Sequence, residues 1–158
     1  MGKRLEIDKV VSHIGSGYPK PFDVPVAKRV RKRLAEAAGL TKIGVTLLRL
    51  PPGTWSTQRH WHVNSDEFVY VLSGEVVMVT DQGEEVLRAG DSAGFKASER
   101  NGHHLQNRSA ADATLLEIGN HLDNDTAYYP DIDLIASLVE GRSILTHRDG
   151  RLYSSDPG

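Results

Sequence analysis

Apolar runs of strand length, broken by Gly, Pro, Asn and Asp, fill the middle of the chain. Ile43–Leu50 is rich in aliphatic and β-branched residues and stops at Pro51-Pro52-Gly53. Glu67–Leu72 stops at Ser73-Gly74, and Glu75–Thr80 stops at Asp81-Gln82-Gly83, a hairpin signal. Glu84–Leu87 runs toward Gly90-Asp91, Ser92–Lys96 follows, and His103–Asn107 and Thr114–Ile118 flank the turn-like Arg108-Ser109-Ala110-Ala111. Short strands at this spacing predict an all-β sandwich or barrel. No strand alternates with a long amphipathic helix, which argues against a parallel α/β sheet.

The pattern weakens on either side. Residues 1–42 read as an arm packing on the barrel of residues 43–119, and residues 120–158 as a polar tail with apolar anchors. No Pro/Gly/Ser-rich linker separates them, so the chain reads as one domain. In the arm, Val26, Val30, Leu34 and Ala37 or Ala38 have helical spacing, with Asp23 as cap and Gly39 as terminator. The same stretch carries a strand pattern over Arg29–Leu34, the reading adopted here. In the tail, a helix is expected around Leu134–Val139, and Asp149-Gly150 predicts a hairpin between Leu145–Arg148 and Arg151–Tyr153.

Composition narrows the chemistry. A chain of 158 residues can bury a core of its own. Nineteen Lys and Arg against 21 Asp and Glu give a net charge of -2, which argues against a general nucleic-acid or membrane-surface binder. The basic run Lys28–Arg33 then reads as a solvated or edge-strand face. The start, MGKRLEIDKVV, has no apolar stretch of signal-peptide type, and the longest apolar run, Phe68–Leu72, is strand-length. The expectation is a cytoplasmic protein. Zero cysteines exclude disulfides, iron–sulfur clusters, thiolate zinc sites and a cysteine nucleophile. There is no phosphate loop and no dinucleotide fingerprint. Acid–base or metal chemistry must run on His, Asp and Glu, and there are seven histidines.

His60-Trp61-His62 places two imidazoles on one face of a strand, about 6.5–7 Å apart at Cα. A turn through Val63-Asn64-Ser65-Asp66 can fold Glu67 back toward them. Such a nitrogen and oxygen set suits a borderline or hard divalent ion. A fourth ligand is sought at His103 or His104, adjacent residues that point to opposite faces of a strand. If the face shared with Leu105 is the inner one, His103 is the ligand and His104 lies outside; a local bulge reverses this. Gln58 has the parity of His60 and His62 and is a candidate cavity residue. Trp55 is off that parity and reads as ordinary packing or, alternatively, as part of the cavity mouth. Gly53, Gly74 and Gly90 read as turn residues, Asn107 as a turn-fixing side chain. His13, His121, His147, Glu117 and Asp91 read as surface groups, so no second carboxylate is expected inside.

Gly53-(six residues)-His60-Trp61-His62-(four)-Glu67-(six)-Gly74 resembles the first motif of the cupins, and Gly90 through His103-(three)-Asn107 resembles the second. The resemblance covers about residues 43–119. It implies a double-stranded β-helix, or jelly-roll, barrel holding one divalent metal ion per chain (zinc, iron, manganese or nickel) on His60, His62, Glu67 and His103. Two departures stand out. The Gly53–His60 gap is one residue longer than usual. Lys96-Ala97-Ser98 replaces the Pro-x-Gly of the second motif, and the stretch before His103 is two residues longer.

Four protein ligands would leave one or two positions open on a five- or six-coordinate ion. The sequence therefore points to an enzyme acting on a small oxygenated metabolite, of dioxygenase or isomerase type. The alternatives are a non-catalytic small-ligand binding or sensing cupin, or a structural or storage protein with a spectator metal. No segment has room for a DNA-binding helix-turn-helix. A small molecule in the barrel is the expected partner, with no nucleic acid and no membrane. The apolar anchors of arm and tail predict a homodimer.

Overall fold

The structure is a computed structural model that describes residues 2 and 4–153. Among these, the strands are β1 (Ser12–Ile14), β2 (Val30–Arg33), β3 (Ile43–Leu50), β4 (Trp61–His62), β5 (Glu67–Ser73), β6 (Glu75–Thr80), β7 (Gly83–Arg88), β8 (Ser92–Phe95), β9 (His104–Gln106), β10 (Ala113–Asn120), β11 (Asp125–Tyr129), β12 (Leu134–Val139) and β13 (Arg142–Thr146). One turn of helix, α1 (Leu34–Ala37), follows β2. No helix among the described residues is long and apolar enough to cross a membrane.

Every strand pairing is antiparallel. One wall is a six-stranded sheet in the order β1-β2-β3-β10-β5-β8. The other consists of β13-β12-β11-β4 and β7-β6-β9. A backbone bridge between His60 and His103 joins these two smaller sheets. The core lies between the walls: Leu48, Leu50, Val69, Val71, Ala113 and Leu115 from the six-stranded sheet meet Val76, Leu87 and Leu105 opposite. This is the all-β jelly roll that the strand rhythm predicts.

The arm and tail are woven into the walls. Strand β2 pairs with both β1 and β3, and β11 pairs with β4, the strand that carries His62. Residues 30–33 form a strand, as adopted. The expected helix at Leu134–Val139 is instead β12, with Leu134 and Ala136 packing in a second small core beside Tyr129. Its apolar run, broken only by Ser137, has no clear period, and the paired strands on both sides take up its backbone hydrogen bonds, so tertiary context decides the conformation. The turn at Asp149-Gly150 does fold the chain back, with Thr146 bridged to Leu152.

The basic run Lys28–Arg33 is not an edge face, because β2 is internal to its sheet. Arg29 is buried, donates to the Gly15 and Ser56 carbonyls and lies over the Tyr18 ring. Burial lowers its pKa to about 10. Arg31 contacts Glu117, Lys32 donates to the Ile7 carbonyl, and Arg33 pairs with Glu36.

Register explains where the site can form. Leu50 faces Ala113, Leu48 faces Leu115, Thr46 faces Glu117 and Gly44 faces Gly119 across β3 and β10. On the other side of β10, Leu115 faces Val71, Glu117 faces Val69 and Gly119 faces Glu67. Alternate residues share a face. The inner face thus changes from aliphatic (Leu50, Leu48, Leu115, Val71) to mixed at the level of Thr46, Glu117 and Val69. One level further, Glu67 is aligned with Gly119 and Gly44.

Candidate metal centre

His60 immediately precedes β4, His62 ends it, and Glu67 opens β5 after the intervening turn. Asp66 fixes that turn: its N–H donates to Asn120 Oδ1 at 2.8 Å and its carboxylate accepts from the Ala97 N–H at 2.7 Å. Ligand atoms of His60, His62 and Glu67 all lie within 4.8 Å of one another. His60 Nε2 is 3.6 Å from Glu67 Oε2, and His62 Nε2 is 3.6 Å from Glu67 Oε1.

The outer nitrogens of these rings determine their protonation. His60 Nδ1 is 3.0 Å from the Gln58 carbonyl, and His62 Nδ1 is 2.7 Å from Asp125 Oδ2. A carbonyl and a carboxylate only accept, so each Nδ1 carries a proton; Nε2 then donates to Glu67 while the ring is protonated and offers a lone pair once it is neutral. A cation taking the place of the Nε2 protons would meet two nitrogen lone pairs and a carboxylate. This donor set fits a divalent metal, and the His60–His62–Glu67 group could hold one ion.

Between the two neighbouring histidines, the structure turns His103 inward. Its Nε2 is 2.8 Å from Glu67 Oε2, and its ring stacks on Phe95 at 3.6 Å. His104 points the other way, but it is not outside: it is buried against Trp55, with Nδ1 3.0 Å from the Thr57 carbonyl and Nε2 2.9 Å from Gln106 Nε2. Burial lowers its pKa to about 4. Burial alone would raise the pKa of Glu67. Hydrogen bonding with His103 and His60 outweighs that and holds the carboxyl well below its usual range.

Three residues depart from the sequence reading. Gln58 does not line the cavity; it is buried and donates to the Phe22 carbonyl at 2.7 Å, fastening the arm. Glu117 is not a surface charge. It shares the inner face of β10 with Leu115 and lines a cavity together with His60, His62 and Glu67. Asp125, which orients His62, belongs to no motif and lies 63 residues from its partner. Strand parity with Leu115 was the available signal for Glu117; nothing local marks Asp125. Arg59 is a further link. It makes two contacts to Asp131, at 2.7 and 2.6 Å, pairs with Asp81, and reaches the Gly102 carbonyl. It thereby ties the residue before His60 to the residue before His103.

Two cavities, of about 450 and 360 Å³, meet at the cluster and share His62, Glu67, Phe95 and His103. Both fall in the size range of small-molecule sites. The larger opens beneath β6, β7 and β8, beside Met78 and Lys96. The other runs along β3 and β10 and contains Arg31 and Glu117.

Residues 46–119 match the family model for the cupin domain. The structure is similar to that of a sugar phosphate isomerase from a cupin superfamily of Silicibacter pomeroyi, with a TM-score of 0.92 and 39% identity over 96% of this chain and 97% of that one. A protein of Acidithiobacillus ferrooxidans, provisionally called a sugar phosphate isomerase, matches with a TM-score of 0.73 and 30% identity over 81% of each chain. A polyketide cyclase of Streptomyces resistomycificus shares the fold, with a TM-score of 0.62 and 20% identity over 77% of this chain and 81% of that one. A search of curated protein sequences finds no match. With its strand order, its clustered motif residues and these similarities together, the chain belongs to the cupin superfamily.

Proposed function

We propose that this cupin is a metal-dependent isomerase acting on a small phosphorylated sugar. The observation that carries this reading is the His60–His62–Glu67 cluster, with His103 beside it, at the meeting point of two cavities. The similarity along almost the whole chain to a sugar phosphate isomerase supplies the substrate class. The four side chains would hold one divalent ion, which as a Lewis acid polarises a carbonyl oxygen. The protein contributes the rest. Gln58 and Asp125 fix the tautomers of His60 and His62, Phe95 and Tyr129 pack against the imidazoles of His103 and His60, and the aliphatic layer closes the cavity floor.

The test combines elemental analysis with NMR detection of aldose–ketose interconversion on a panel of triose to hexose phosphates. Close to one metal per chain and turnover of at least one substrate are expected. His60→Ala and Glu67→Ala should lose both metal and activity and keep the circular-dichroism spectrum, because the core is aliphatic. Protein purified without chelators that holds no metal would sink the reading. Saturable binding without turnover would identify a sensing protein instead.

A further inference from the structure

We infer that Glu117 is the proton-transfer group of this site and that Arg31 positions it; the inference rests on the isomerase reading above. An isomerase needs a group besides the metal ligands that can take a proton from carbon and return it. The cavity along β3 and β10 contains three carboxylates, Glu67, Glu117 and Asp125. Glu67 belongs to the cluster. Asp125 is engaged by His62 and by the N–H groups of Asn64 and Thr126. Glu117 receives no histidine and no backbone N–H among the described residues; its partner is Arg31.

That partnership is open. Arg31 Nη2 lies 3.4 Å from Glu117 Oε1 and Arg31 Nε lies 3.3 Å from Oε2, beyond the usual ~2.7–2.9 Å of a charged hydrogen bond. Nε is buried and has no hydrogen-bond partner among the described residues. The other loose pairs, Arg33–Glu36 and Arg88–Glu75 at 3.4 Å, are largely exposed, whereas Arg31 and Glu117 are mostly buried. Arg108 grips Glu84 with two contacts of 2.7 Å, and Arg59 grips Asp131 at 2.6 and 2.7 Å. A loose pair inside a cavity leaves a carboxylate lone pair and a guanidinium donor for a ligand. An orphan buried donor of this kind calls for an explanation, and a bound ligand oxygen supplies one.

The placement also suits the chemistry. Glu117 faces Val69, and Glu67 faces Gly119, so the two carboxylates are diagonal neighbours on one inner face, roughly 7–8 Å apart at Cα. Both carboxylates line the cavity of about 360 Å³ along β3 and β10. A sugar carbon chain fits a cavity of that size, between the cluster and Glu117.

The step balances within the substrate. Glu117 takes the proton from the carbon next to the carbonyl. The C–H electron pair becomes the C=C bond of an enediol, and the carbonyl π pair moves to oxygen, which takes a proton from the solvent. Glu117 then returns its proton to the former carbonyl carbon. The C=C pair forms that new C–H bond, and the neighbouring hydroxyl releases its proton and becomes the carbonyl. One carbon is oxidised as its neighbour is reduced, and no external oxidant is needed.

Metal-loaded wild type, E117Q, R31M and R31K are compared on the active sugar phosphate in D₂O, scoring kcat, KM, metal content and deuterium uptake at carbon. E117Q is expected to lower kcat about 10²- to 10⁴-fold, with deuterium uptake falling in parallel and KM and metal content close to wild type. R31M should lower kcat about tenfold at similar KM, with partial rescue in R31K. If E117Q fails to fold, E117D, which withdraws the carboxylate by one methylene, should lower kcat at least about tenfold. Near-wild-type kcat in E117Q or, where that variant does not fold, in E117D overturns the role of Glu117 and leaves the isomerase reading standing. Loss of metal in either variant assigns Glu117 a structural role and also overturns the inference. Wild type with neither turnover nor exchange on the whole panel overturns both readings.

Discussion

Asp125→Asn is nearly isosteric and should nevertheless damage the metal centre more than Asp125→Ala. One oxygen of Asp125 accepts from two backbone groups, Asn64 N–H at 2.9 Å and Thr126 N–H at 2.8 Å; the other accepts from His62 Nδ1 at 2.7 Å. An asparagine has a single oxygen. Keeping both backbone bonds puts that oxygen where Oδ1 now sits and turns the NH₂ group toward His62. Nδ1 must then accept, so the proton moves to Nε2, which faces Glu67. A metal could bind only if the amide flipped and left two N–H groups without their acceptor, at roughly 1 kcal/mol or more each. The expected loss is about 2 kcal/mol, or roughly thirtyfold in metal affinity, within the range seen when partners of ligating histidines are changed. Alanine leaves His62 Nδ1 to donate to water, so it should cost less affinity and more fold stability. Zinc affinity is measured by competition with a chromophoric chelator, and the tautomer is read from ¹⁵N shifts of His62. An Asp125→Asn variant that binds zinc within about threefold of wild type, or more tightly than the Asp125→Ala variant, would refute the tautomer argument.

Three other outcomes are expected. Burial holds His104 neutral down to a pKa of about 4, below its unfolded value of 6.5, so its contribution to stability is complete above pH 6.5 and lost as pH falls toward 4. Between pH 7 and pH 5, wild type should lose about 2 kcal/mol more than His104→Gln in urea unfolding; equal losses would contradict this. Gly74 has φ +76, and an added Cβ would sit 2.6 Å from the Asp112 carbonyl oxygen. Gly74→Ala should therefore cost about 3 kcal/mol, and a shift under about 1 kcal/mol in chemical denaturation would count against it. For the expected homodimer, the arm and tail still expose Val11, Ile14, Val24 and Leu152, while Val26, Tyr129 and Leu134 are buried within the chain itself. Phe68, Tyr70 and Leu72 expose a further apolar strip on the outer face of β5, next to Leu116 and Ile118. A second copy of this chain is expected to cover that strip. Light scattering at ~50 μM should give a dimer, and a monomer on Phe68→Lys with Tyr70→Lys; monomeric wild type would refute the interface.

The sequence disclosed the barrel because its strands are short, strongly apolar and punctuated by turn residues. Ile43–Leu50 and Glu75–Thr80 are recovered residue for residue. The convergence of His60, His62 and Glu67 was also legible, since strand parity and one tight turn are local properties. What escaped depends on distant pairings. Leu134–Val139 has no period that separates a strand from a helix, and its neighbours β11 and β13 decide the matter. Asp125 reaches His62 only because β11 pairs with β4. Arg31 and Glu117 look like surface charges one at a time; their shared cavity exists because β2, β3 and β10 are adjacent.

The change from aliphatic to polar residues along the inner face divides the labour of the barrel. Below it, Leu48, Leu50, Val71 and Leu115 are fully buried, and a large-to-small change there should cost about 2–5 kcal/mol. Above it, Thr46, Glu117 and Glu67 are only partly buried and contribute little to that packing. Substitutions in the upper layer can alter what the cavity accepts without touching the scaffold. A lineage of such barrels can exchange one substrate for another while its thermal stability stays where it was.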